Sequence, residues 1–217
     1  MKLLLTSNGL VNKEITDALF ELVGKKPEET SLVFIPTASN VEAGDKSWFI
    51  NDLINIKKQS FKSVAITDIS AVPENIWRPQ LEEADVLFFE GGNTYHLMRW
   101  INQSGLIKIL PELLKTKVYV GLSAGSMVTG PDLTLRLSKL IYGEDAETDT
   151  MAGLGLADFY FLPHLNSPHF PARMEENLRE AMKDIKRKTY MLDDQSALKV
   201  VNGEVALLGG GKYLEFN

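Results

Sequence analysis

The chain has 217 residues, 44% of them hydrophobic, enough to bury a substantial core within one domain spanning 1–217. Its 29 acidic and 23 basic residues leave a formal charge of −6, which excludes the electrostatic footprint of a nucleic-acid binder and disfavours anionic membranes. Cysteine is absent, which removes disulfides, thiolate metal sites and a cysteine nucleophile together.

Met1 to Leu5 is too short for the apolar region of a signal peptide, and no segment approaches the roughly 20 apolar residues that span a bilayer. The expected location is the cytoplasm. From the start, short apolar runs alternate with helix-length segments: Lys2–Thr6 then Lys13–Gly24, Leu32–Pro36 then Ser47–Lys58, and Val64–Ile69 then a poorly defined stretch closed by Leu81–Glu83. This is the rhythm of βαβ units. Asp85–Glu90 and Lys117–Leu122 are unbroken apolar runs, as parallel strands buried on both faces require. Between them Thr94–Lys115 predicts helix interrupted near Gly105, and Gly130–Leu156 predicts loops. A strand at Phe159–Pro163, a helix over Ala172–Lys188 introduced by Pro171, and Tyr190–Leu192 lead to a hairpin series. There Asn202-Gly203 separates the strand-like runs Ala197–Val201 and Glu204–Leu208, with Tyr213–Phe216 last. The pattern predicts a three-layer α/β fold, a doubly wound and mostly parallel sheet with C-terminal hairpin strands.

Gly121-Leu122-Ser123-Ala124-Gly125 matches G-x-S-x-G where an apolar run ends and a helix can begin. A nucleophile elbow strains its serine, which is tolerable only if the residues two before and two after are nearly without side chains. Gly121 and Gly125 meet that need, and the Ala124 N–H would face a developing oxyanion. The alternative is an ordinary glycine-rich turn that binds an anion or nothing. Glu90-Gly91-Gly92-Asn93-Thr94 lies at another buried strand end, where open α/β sheets place ligands. Gly91 or Gly92 can supply a second oxyanion donor, and Asn93 either touches substrate or caps the next helix.

A serine activated in the usual way needs a base, and the three histidines are His96, His164 and His169. His96 sits in a helical pattern and reads as structural. His164 and His169 share a proline-bounded loop after a predicted strand; their spacing, without a nearby third ligand, is a weak metal signal, so no metal is expected. Asp193, Asp194, Asp132, Glu144 and Asp145 are open alternatives for the acid that orients the base.

Leu4-Leu5-Thr6-Ser7-Asn8, Val33-Phe34-Ile35-Pro36, Gly91-Gly92-Asn93-Thr94, Gly121-Leu122-Ser123-Ala124-Gly125-Ser126 and Pro168-His169-Phe170 together resemble the peptidase E family of aspartyl dipeptidases, related to cyanophycinase. The resemblance covers nearly the whole chain and implies a flavodoxin-like fold, related to class I glutamine amidotransferases. It places the nucleophile on Ser123, the base on His169 and the acid on Asp194, an aspartate where the family has glutamate. The order serine, histidine, acid differs from that of α/β-hydrolases. It implies hydrolysis of short peptides through an acyl-enzyme, with no cofactor, and is compatible with a homodimer. Phe170-Pro171-Ala172-Arg173 leads into the next helix more directly than in peptidase E, and Arg173 is a candidate for a substrate carboxylate. The alternatives are hydrolysis of another small amide, isopeptide or ester, or an inactive ligand-binding relative.

Overall fold

The computed structural model describes residues 1–133, 151–183 and 185–217. In chain order its elements are β1 (Lys2–Thr6), α1 (Lys13–Val23), β2 (Ser31–Ile35), α2 (Thr37–Asn40), α3 (Ser47–Lys58), β3 (Ser63–Ile66) and α4 (Glu74–Glu83). Then come β4 (Val86–Phe89), α5 (Thr94–Gln103), α6 (Leu106–Leu113), β5 (Val118–Leu122) and α7 (Ala124–Met127). The last are β6 (Asp132–Leu133), β7 (Met151–Ala152), β8 (Tyr160–Leu162), α8 (Glu175–Ala181), β9 (Thr189–Leu192), β10 (Ala197–Val201), β11 (Glu204–Leu208) and β12 (Tyr213–Phe216).

A seven-stranded sheet runs β11-β10-β1-β5-β4-β2-β3. The strands from β1 to β3 in that order are parallel, while β10 and β11 join as an antiparallel hairpin on β1. Side chains alternate across this sheet. Leu4, Leu32, Phe34, Val86, Phe88, Val118 and Val120 face α1 and α3, and Leu3, Leu5, Val33, Ile35, Leu87, Phe89 and Tyr119 face α4, α5 and α6. The outcome is the expected three-layer, mostly parallel α/β architecture.

A smaller sheet, β12-β9-β8, packs Leu162 and Met191 with Met127, Leu165, Leu178 and Met182. So Tyr190–Leu192 belongs to this second sheet, beside β8, and not to the hairpin of the main one. The helix predicted over Ala172–Lys188 is shorter, a 3-10 turn at Pro171–Arg173 followed by α8. Met174 separates them because its backbone is extended, at φ −68 and ψ 143.

Candidate active site

β1, β4 and β5 end side by side at the carboxyl edge of the main sheet, the place where such folds collect functional groups. Ser123 follows β5 directly and adopts φ 48 and ψ −106, outside the conformations an ordinary serine prefers. The strain is held by close packing. A Cβ at Gly125 would stand 2.1 Å from the Phe89 carbonyl oxygen, and one at Gly121 would stand 2.6 Å from Gly125. The main chain of Thr6 completes the clamp, its carbonyl accepting from the Ser123 N–H at 3.0 Å and the Ser126 hydroxyl at 2.9 Å. Among these buried groups the Ser123 side chain alone keeps partial access to solvent.

The Ser123 hydroxyl lies 3.0 Å from Nε2 of His164, and Nδ1 of His164 lies 2.5 Å from Oδ1 of Asp194. β8 delivers the histidine and β9 the aspartate, so the small sheet exists, in functional terms, to bring these groups to the edge of the large one. This corrects the expectation for His169. The backbone turns at His164, at φ 66, sending its imidazole back toward Ser123. Successive turn bonds, from the Ser167 N–H to the His164 carbonyl and from the Phe170 N–H to the Ser167 carbonyl, then carry His169 to the exposed surface.

The other acids are placed elsewhere. Asp193 pins the β9–β10 turn, accepting from the Gln195 N–H at 3.0 Å and the Ser196 hydroxyl at 2.8 Å. Asp132 accepts from the Tyr160 hydroxyl at 2.9 Å. Glu144 and Asp145 lie outside the described residues. His96 is on α5, with Asp68 and Arg99 as its charged neighbours.

Burial holds the His164 imidazole below its ordinary range; the Asp194 bond works against that and the Arg173 charge adds to it. Burial alone would raise the Asp194 carboxyl, but the His164 bond and the Ser167 and Ser7 hydroxyls bring it below the usual carboxylate range. At neutral pH the arrangement therefore combines a neutral imidazole facing a hydroxyl with an ionised carboxylate behind it. That is the constellation that removes a proton from a nucleophilic serine.

Sequence reasoning missed Ser7. Its hydroxyl accepts from the His164 N–H at 2.7 Å and lies 3.3 Å from both Asp194 Oδ1 and the Leu192 carbonyl. Nothing in its spacing to the histidine, 157 residues away, announces this.

Gly91 and Gly92 sit against the elbow as close approach requires. A Cβ on Gly91 would come within 3.2 Å of the Ser123 Cβ, and Gly92, at φ 125, would collide with the Ala38 carbonyl. Asn93 caps α5, its side-chain oxygen accepting from the His96 N–H at 2.8 Å. Ala124 opens α7 immediately after Ser123. Arg173 is buried, its guanidinium carbon 3.5 Å from the Phe170 ring centre, and that ring packs in turn on His164 at 4.8 Å. Among the described residues no cluster of ligating side chains could hold a metal, and no helix is long and apolar enough to cross a membrane.

Residues 3–208 match the sequence model of peptidase family S51. The chain is 28% identical to the uncharacterized peptidase Lin0382 of Listeria innocua over 84% of its length and 86% of that protein. It is 29% identical to peptidase E of Streptomyces coelicolor over 97% of its length and 84% of that protein. A crystal structure of a protein from Listeria monocytogenes EGD-e superposes with a TM-score of 0.76 at 24% identity, over 95% of this chain and 96% of that one. At that identity the likeness concerns the fold.

Proposed function

The chain belongs to peptidase family S51 and is a serine-type peptidase, and from that premise we propose that it hydrolyses short peptides through an acyl-enzyme formed on Ser123. The observation that carries the reading is the continuous path Ser123 to His164 to Asp194, at 3.0 and 2.5 Å. His164 takes the hydroxyl proton as Ser123 attacks the scissile carbonyl. Asp194 orients the ring and stabilises the imidazolium, and the same proton then passes to the leaving amine. The N–H groups of Gly92 and Ala124 are assigned to the oxyanion, Gly92 being fixed against α2 and Ala124 following the nucleophile. Water, deprotonated by His164, then clears the acyl group.

The substrate we assign is a dipeptide with an N-terminal aspartate. Arg173 supports this as a buried cation near His164, suited to a carboxylate on the residue being cleaved. The reading places the enzyme in the cytoplasm, in keeping with a sequence that has no cysteine to cross-link.

The test is intact mass after fluorophosphonate treatment, together with amino-acid release from Asp-X and X-Asp dipeptides. One adduct on the wild type and none on Ser123→Ala, with Asp-X cleaved, is expected. No adduct and no cleavage would overturn the reading.

A further inference from the structure

Two acids lie buried near the nucleophile and take no part in the path from Ser123 to Asp194. α3 hides Asp52 at 7% exposure while leaving Ile50 and Ile54 at 54% and 43%, the reverse of what burial of apolar surface selects. Glu90, directly after the apolar strand β4, is fully buried. Neither of its carboxyl oxygens makes a hydrogen bond of normal geometry among the described residues. The polar groups turned toward them are the Asp52 carboxyl and the Gly91 N–H. Two carboxyls in a place without water must hold at least one proton between them, because like charges there repel and neither is solvated. A break in the burial pattern of this kind is expected at functional positions.

Their surroundings connect them to the elbow. The Glu90 N–H donates to the Ile35 carbonyl at 3.1 Å and the Asn93 N–H to the Ala38 carbonyl at 2.9 Å, so both ends of this segment are moored to β2 and α2. Gly91 and Gly92 span the gap, and without side chains their peptide planes are set by main-chain contacts alone. The Leu122 side chain packs below them: a Cβ on Gly91 would meet it at 2.9 Å and one on Gly9 at 2.8 Å. Asp52 Oδ1 lies 3.8 Å from that same Gly9 position, so the acids stand behind the loop whose other side faces Ser123.

We propose that Asp52 and Glu90 are positioning residues of the oxyanion hole: sharing a proton, they hold the Gly91 N–H inward on the Glu90 carboxyl and so direct the Gly92 N–H toward substrate. This rests on the assignment of Gly92 to the oxyanion. When the last proton leaves, the two carboxylates move apart, Glu90 carries Gly91 with it, and the donor is lost. Burial pushes Asp52 up to about 7, and burial with the Asp52 charge raises Glu90 well above its ordinary value, so that proton leaves above neutrality. Among the described residues no further charged group acts on either carboxyl; the β1–α1 turn, β2 and β5 bring Gly9, Ile35 and Leu122 against them.

The test is the rate at which a fluorophosphonate labels Ser123 across pH, since this probe, unlike a dipeptide, has no titrating group of its own. In the wild type the rate should fall by about tenfold or more on the alkaline side, as loss of an oxyanion donor demands, while circular dichroism stays native. Glu90→Gln keeps a carbonyl for the Gly91 N–H and an N–H for Asp52 at every pH, so it should lack that fall, and so should Asp52→Asn. Glu90→Leu should label about tenfold or more slowly even at neutral pH. A folded wild type without an alkaline fall, the same fall in Glu90→Gln and Asp52→Asn, or wild-type labelling of Glu90→Leu would overturn the inference, while labelling at neutral pH would leave Ser123 as nucleophile. No labelling at any pH would overturn the Ser123 reading and this inference with it.

Discussion

The main-chain N–H of His164 donates to the Ser7 hydroxyl at 2.7 Å. The ring that faces Ser123 is therefore fixed at its own backbone as well as at Asp194. Ser7 directly follows β1, the strand that also clamps Ser123 through Thr6. Nucleophile and histidine are thus referred to the same short piece of chain.

Ser7→Ala should lower kcat by about tenfold or more while KM changes little, because it loosens the histidine without touching substrate. Leaving the buried N–H unpaired should also cost about 1–3 kcal/mol of stability. Steady-state kinetics beside a denaturant melt checks both. An unchanged kcat would remove Ser7 from the positioning role.

The acid limb of kcat/KM should have its midpoint below 6.5, the ordinary histidine value. Burial and the Arg173 charge disfavour the imidazolium more than Asp194 favours it. Only neutral His164 can accept the serine proton, so activity is lost as pH falls through the lowered value and is full at neutrality. A pH–rate profile on wild type decides this.

Arg173→Gln should weaken the preference for an N-terminal aspartate over alanine by about tenfold or more, as expected when a buried cation no longer meets a carboxylate. The same variant should move the acid limb upward, since one cause of the lowered His164 value is removed. Specificity ratios on paired dipeptides, measured across pH, report both effects.

Asp52, on α3, faces the fully buried Glu90, and burial pushes its carboxyl up to about 7 from an ordinary 3.8. Burial and the neighbouring Asp52 raise Glu90 as well. Between those two Asp52 values the folded chain holds a proton that the unfolded chain has released, so stability falls as pH rises toward about 7. Asp52→Asn should flatten that decline and raise the melting temperature at alkaline pH. Thermal melts across the range check it.

The apolar runs of β1, β2, β4 and β5 made the parallel core legible in the sequence, and Asn202-Gly203, both at positive φ, marked the hairpin. α4 was obscure because it is mostly polar, with Pro79 inside it and only Trp77 and Leu81 buried. Gly121 and Gly125 announced Ser123 because the elbow leaves no room for their side chains. The histidine was not decidable from spacing, since His164 and His169 follow the same strand. The resemblance favoured the one between proline and phenylalanine. The selection is made by the φ 66 turn at His164 and by Ser7, a contact between distant parts of the chain.

The most direct test of the account is kcat/KM for His164→Ala and His169→Ala, measured on one Asp-X dipeptide with Ser123→Ala as reference. His164→Ala should lose activity by about 10³-fold or more, comparable to Ser123→Ala, as members of one catalytic unit do. His169→Ala should stay within about threefold of wild type, because its side chain is exposed and the bonds that link Ser123, His164 and Asp194 do not include it. Retained activity in His164→Ala with loss in His169→Ala would contradict the assignment of the base.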